Sequence, residues 1–225
     1  MRGIVEKIVV NKEDLSTLYP VVKNMSTDII KSGTQYDYVI ITRDSLKSSF
    51  EPLAKWKTIK GVRTKIVTIE EIGSIYYALT PQLRIKRCLQ DYYTNFGLQY
   101  ALLGGDEKIV PVQYCRAKCA ALNKDILMPT DLFYCNFQEP LDWNANGNDS
   151  IGELSDEAVL TPEIFLTRAI IRTKEHTDVF VSKILNYEQN PPVEIWNNEI
   201  LMCGSRLNNN YEGWAFDKGD LKYRN

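Results

Sequence analysis

The sequence predicts an α/β fold with an open, mainly parallel sheet flanked by helices. Three observations carry that expectation. Short β-rich apolar runs recur at 38–42, 64–67 and 100–104. Segments with helical spacing lie between them, and glycines or prolines punctuate the joins. Strands that alternate with helices of about 10–15 residues argue for βαβ units. The 225 residues bound the chain to one large domain or little more, long enough to bury a useful core.

Taken in order, Ile4 to Val10 alternates loosely and reads as an opening strand. Asn11 to Met25 follows with Leu15, Leu18 and Val22 at helical spacing. Tyr38 to Thr42 is a continuous apolar run, the mark of a strand buried on both faces. Asp44 or Ser45 is placed to cap a helix ended by Gly61. Pro52 inside that segment places the helix start near Glu51, with proline at the first helical position. Thr64 to Val67 is the second strand. Thr68 and Glu71 form a capping box for a short helix reaching about Tyr77. Thr80-Pro81 opens another helix that Gly97 closes.

Tyr100 to Gly104 is the third strand. Gly104, Gly105 and Asp106 stand at its carboxyl end, where open parallel sheets bind ligands. Asp106 is therefore a cleft candidate, and equally a turn former at a tight strand exit. Residues 111–129 look irregular, a hairpin or flap. Thr130 to Phe137 reads as a strand or bend that delivers Asp131 into a cleft. Glu163 to Thr167 is a further strand with Arg168 at its exit. An amphipathic helix begins at Thr173 and stops at Pro191-Pro192. Glu199 to Gly204 starts one more strand. The implied division is a lead-in over 1–32, an α/β subdomain over 33–196, and the start of a truncated second subdomain over 197–225.

Composition excludes several classes of function. A net charge of −2 gives no nucleic-acid footprint. No apolar run approaches the 18 residues or so of a membrane span. The start, MRGIVEKIVVNKEDL, is too polar for a signal peptide. Cysteines at 88, 115, 119, 135 and 203 accompany a single histidine, His176, so buried free thiols fit better than a zinc site. His176 falls in the first turn of a helix, a poor position for a catalytic base. Gly104-Gly105 lacks the later glycine and lysine of a phosphate loop.

The strongest local chemistry lies at 142–153. Asp142, Asn144, Asn146, Gly147 and Glu153 match the calcium-loop pattern D-x-[DN]-x-[DN]-G-x5-E, with Asn148 at the position that contributes a carbonyl. Calcium takes six to eight oxygens, and a loop sharply folded at glycine wraps alternate side chains around one ion. Pro140 before the loop and Asp149 at its eighth position are not EF-hand features. The expectation is a single calcium loop with ligands Asp142, Asn144, Asn146, Asn148 and Glu153. Runs of Asn, Asp and Gly also make plain turns.

Taken together, YDYVIIT (36–42), PLAKWK (52–57), VTIEEI (67–72), ALLGGDEKIVP (101–111), TDLFY (130–134), DWNANGNDSIGE (142–153), PEIFLTRAIIRT (162–173) and KILNYE (183–188) resemble the gingipain-type cysteine peptidases of Bacteroidetes-like bacteria. The resemblance implies a caspase-like fold of two subdomains, of which this chain supplies the first and the opening strand of the second. It also implies proteolysis by a Cys-His dyad at strand ends of the second subdomain. Neither the His-Gly motif nor the nucleophile position is matched here. The chain alone is therefore expected to be inactive, with Asp106, Asp131 and Arg168 lining a cleft that a further subdomain and a peptide substrate complete. Thr167-Arg168 stands where the family usually carries Gly-Arg. Beyond 204, Arg206 and Asn208 to Asn210 precede Glu212 and Asp217, so specificity for basic side chains does not follow. The resemblance implies an extracellular or cell-envelope setting. The alternative is a non-catalytic calcium-binding α/β interaction module; a flavodoxin-like domain is disfavoured by the missing phosphate loop.

Overall fold

The computed structural model describes residues 35–119, 124–191 and 193. The expected elements at 4–10, 11–25 and 199–204 lie outside them, as do the expected lead-in and second subdomain. The chain divides into two compact units, Met1–Val181 and Ser182–Asn225. The sheet and the candidate site belong to the first.

Its elements are β1 (Tyr38–Thr42), α1 (Asp44–Ile59), β2 (Thr64–Thr68), α2 (Ile69–Ile75), α3 (Pro81–Phe96), β3 (Tyr100–Gly104), β4 (Gln113–Cys119), β5 (Lys124–Thr130), β6 (Phe165–Ala169) and α4 (Lys174–Gln189). α4 runs on into the second unit. Among the described residues the main sheet has four strands in the order β2-β1-β3-β6, all parallel. β4 and β5 form a separate antiparallel hairpin, so the irregular stretch resolves as the hairpin alternative.

Strand alternation divides the core between the two sheet faces. Val39, Ile41, Val67, Ala101 and Leu103 pack in one cluster with Ile72 of α2 and Ile85, Cys88 and Leu89 of α3. Ile40, Ile66 and Leu102 point the other way, the side on which Phe50 and Leu53 of α1 are also buried. Gly104 belongs to that second face: a Cβ there would lie 2.6 Å from Phe50 Cζ.

Local chemistry accounts for the helix ends. Thr68 Oγ1 accepts from the Glu71 N–H at 3.2 Å, and Glu71 Oε2 accepts from the Thr68 N–H at 3.0 Å, completing the expected capping box. Thr80 Oγ1 accepts from the Leu83 N–H, with Pro81 at the first helical position. Gly97 closes α3 at φ 76°.

Two boundaries correct the sequence reading. α1 starts at Asp44, well before Glu51, and Pro52 lies inside it. Pro52 and Ser48, whose carbonyl loses its helical partner, are both exposed, so the orphaned oxygen faces water. Leu46, Ser49, Phe50 and Leu53 bury one stripe across the proline, and this packing outweighs the break. β6 runs from Phe165 to Ala169, not from Glu163 to Thr167. Glu163 is committed elsewhere: its N–H donates to Cys135 O, and its carboxylate accepts from Phe137 N–H and the Gln138 side chain. Arg168 therefore sits within the strand, paired with Leu103, and not at its exit.

Candidate functional site

Connections leave β1 to β2 on one side and reach β3 on the other, so the carboxyl ends of β1 and β3 form the switch point where such sheets bind ligands. Thr42 Oγ1 donates to Gly104 O there at 2.7 Å and ties the two strand ends together. Gly104 and Gly105 follow because nothing larger fits. A Cβ on Gly105 would stand 2.4 Å from Ile109 Cγ2. The β3–β6 ladder continues past the strand ends, with Gly105 N–H donating to Ala169 O and Asp106 N–H to Ile171 O.

Two acid–base pairs occupy this edge. Asp106 is buried, and its Oδ2 meets the Arg172 guanidinium at 2.5 Å. Partial burial pushes the Asp106 carboxyl up. Arg172 and the Lys108 and Ile109 N–H groups together outweigh this and hold it below the ordinary carboxylate range. Asp131 and Arg168 face each other in a bidentate pair, Nε to Oδ2 and Nη2 to Oδ1, both at 2.7 Å. Arg168 Nη1 also donates to Gly105 O at 2.8 Å and Val110 O at 2.6 Å. All three cleft candidates thus cluster at one sheet edge, and each carboxylate is engaged by an arginine. Sequence reasoning missed Arg172. Its signal was spacing: Arg168 and Arg172 flank the exit of β6 as Asp106 flanks the exit of β3.

Asp131 leads into a one-turn 3-10 helix at Leu132–Tyr134, so Thr130 to Phe137 is a strand end and a bend. The chain from 131 to 163 then lies as a strap. Asn136, fully buried, accepts from Trp143 Nε1 at 3.0 Å and donates to Thr161 O at 3.0 Å. Ile151 O accepts from the Arg116 N–H of β4. The Tyr134 hydroxyl donates to Pro111 O.

The calcium-type loop forms the outer part of the strap. Asp142, Asn146 and Asn148 each accept from the N–H two residues on, a run of side-chain turns. Gly147 turns at φ 67°. Glu153 Oε1 accepts from Asn146 Nδ2, Asn148 Nδ2 and Ser155 Oγ at 2.6–2.7 Å. The Ser155 bond, then those of Asn146 and Asn148, lower the Glu153 carboxyl to about 2. Asp156, which the sequence reading passed over, is buried and accepts from the N–H groups of Asn146 and Glu153.

The fit to a hard cation divides by type and orientation. Every candidate side chain carries oxygen, and Asn144 Oδ1 is buried without a hydrogen-bond partner. Asn146 and Asn148, however, turn their NH2 groups toward Glu153, so their oxygens face a cation only after the amides rotate. Among the described residues no three of His, Cys, Asp and Glu form a metal cluster, so amide and main-chain oxygens would complete any shell.

The nucleophile types are placed as follows. Cys88, Cys115 and Cys135 are free and buried. Burial pushes the Cys88 thiol to about 12 and those of Cys115 and Cys135 to about 11, far from the range of a reactive thiolate. His176 is exposed in the first turn of α4, its N–H donating to Thr173 Oγ1. A cavity of about 350 Å³ opens at the opposite, amino end of the sheet beside Tyr38, Tyr100 and Phe165, away from the acid–base pairs. No helix among the described residues is long and apolar enough to cross a membrane.

Comparison with known proteins gives one sequence match. Residues 31–222 match peptidase family C25. No curated protein matches. Among solved structures, one described as the structure of a protease is 15% identical, with 72% of this chain and 30% of that chain aligned at a TM-score of 0.50. Dimeric latent PorU from Porphyromonas gingivalis is 14% identical over 75% of this chain and 17% of that chain, also at 0.50. The Arg-specific cysteine proteinase gingipain R (RgpB) is 18% identical over 70% and 30%, at 0.46. At these identities the likeness to the two structures at 0.50 is one of fold. The chain spans 30% or less of the length of each of these structures.

Proposed function

The chain belongs to peptidase family C25, the gingipain family, and from that premise we propose that it forms one wall of a cysteine peptidase whose Cys-His dyad lies outside these 225 residues. The family match over 31–222 carries the peptidase reading. The dyad's location draws support from the groups present: the sole histidine is exposed at a helix start, and the thiols of Cys88, Cys115 and Cys135 are buried with raised pKa values. In the complete enzyme a Cys thiolate would attack the peptide carbonyl and an imidazole would carry the proton to the leaving amine.

The part of this chain would be positional. The pairs Asp131–Arg168 and Asp106–Arg172 hold the exits of β3 and β6 rigid, so that their main chain presents a fixed wall to a peptide and to the completing subdomain. Asp142, Asn144, Asn146, Asn148 and Glu153 would hold a structural calcium, whose chemistry is to neutralise the loop's carboxylates and pin the strap. The setting that fits this reading is extracellular or cell-envelope.

The test is a peptide-cleavage assay on the 225-residue chain under thiol reductant, beside the longer protein that contains it. The reading expects turnover only from the longer protein. Turnover by the short chain contradicts the placement of the dyad. No turnover by either favours a non-catalytic calcium-binding module.

A further inference from the structure

Lys86 lies on α3 with none of its surface exposed, and its ammonium has no hydrogen-bond partner. It sits over two rings of the strap instead, 4.2 Å from the centroid of Phe133 and 5.1 Å from that of Trp143. Aromatic faces offset part of the lost hydration, but a buried cation without an acceptor stays costly. Trp143 adds a second cost. It is a bulky residue at φ 58°, in the left-handed region, held there by Asn136 and by its main-chain bonds to Pro140 and Gly152. Unfavourable charge and unfavourable backbone thus coincide where the strap covers the helix.

We propose that the 131–163 strap is a conformational latch, closed over the unpaired Lys86 ammonium and poised to swing off α3 so that this charge reaches water. The groups facing Lys86 set its balance. Burial, the largest influence, opposes its charge and brings its pKa down to about 8, while Glu163, Cys135, Asp142 and Glu139 favour the charge. Cys115, beneath Gly152, is a further titratable neighbour. The sign follows. A lysine whose folded pKa is depressed destabilises the closed state increasingly as pH falls from its ordinary value, 10.5, to about 8, and by a constant amount below that. The closed strap is therefore firmer at pH 9 than at pH 7.

Hydrogen exchange tests this at the Trp143 and Gly152 amides, with Val39 and Ile40 of β1 as reporters of global unfolding, corrected for intrinsic rates where reclosing outpaces exchange. In the wild type the open fraction should fall about tenfold from pH 7 to pH 9. At pH 7, Lys86→Met should slow strap exchange at least about tenfold, because a buried unpaired charge is replaced by an apolar chain of similar length. That variant should lose the pH dependence, and β1 should change less than the strap. Unchanged or faster strap exchange in Lys86→Met overturns the latch. So does an equal change in strap and β1, which would make Lys86 a determinant of global stability only. Should Lys86→Met fail to fold, the wild-type pH series decides alone, and a flat profile rejects the proposal.

Discussion

Arg168 grips Asp131 through the Nε–Nη2 edge of its guanidinium, each bond 2.7 Å long, and closes a contact 37 residues apart in sequence. The same side chain holds the carbonyls of Gly105 and Val110, so one arginine joins β6, the turn after β3 and the start of the strap. Removing it leaves a part-buried carboxylate and two carbonyls without their donor. Arg168→Ala should cost about 3–5 kcal/mol, and Arg168→Lys most of that because an ammonium cannot make the fork. Urea unfolding measures both; a loss below about 1 kcal/mol would show that water replaces the pair.

Gly105→Ala and Gly73→Ala should move stability in opposite directions. A Cβ on Gly105 meets Ile109 at 2.4 Å, whereas one on Gly73 in α2 meets nothing within 4 Å. The first should destabilise by about 1–3 kcal/mol and the second stabilise by about 0.5–1 kcal/mol. Thermal melts of the two variants check the pair, and shifts of the same sign refute it.

Glu153 makes the strap sensitive to strong acid. Its carboxyl is lowered from 4.5 to about 2 by hydrogen bonds from Ser155, Asn146 and Asn148. A depressed carboxyl contributes stability that is complete above its unfolded pKa and is lost as pH falls through the folded one. The stability gap between wild type and Glu153→Gln should therefore be full at pH 6, shrink below about pH 4.5 and close near pH 2. A gap that is constant over this range would mean the three donors do not act on the charged form.

Calcium binding at the loop predicts a melting shift on titration with the ion. Stabilisation follows RT ln(1 + [L]/Kd), about 2.7 kcal/mol at a hundredfold excess over Kd. Asp142→Ala should abolish the shift. No shift at millimolar calcium, or an undiminished shift in the variant, counts against the loop as the site.

The sequence made the sheet legible because its central strands, β1 and β3, are buried on both faces. Runs such as 38–42 and 100–104 admit little else, and the capping box at Thr68 fixes a helix start by two reciprocal bonds. Pro52 misled because local propensity weighs about 3 kcal/mol while a buried helical stripe weighs more. β6 was displaced by two residues because the apolar run hides that Glu163 is taken by the strap. At the site, Asp106, Asp131 and Arg168 were legible as individual residues. Their partners were not, since Asp106–Arg172 arises only when the sheet brings the exits of β3 and β6 together, and Asp131–Arg168 only when the chain leaving β5 meets β6. Lys86 was hidden for a different reason: a lysine between Ile85 and Cys88 reads as a solvated flank until Phe133 and Trp143 fold over it.

The central claim is that this chain shapes the cleft of a family C25 peptidase without supplying its nucleophile. The direct measurement is intact mass after incubating the reduced chain at about pH 7.5 with a peptidyl ketone electrophile that alkylates cysteine-peptidase nucleophiles. The account predicts an unmodified mass, with slow labelling of buried thiols only after denaturation. One stoichiometric adduct on a single cysteine, formed by the folded chain and lost in His176→Ala, would contradict it.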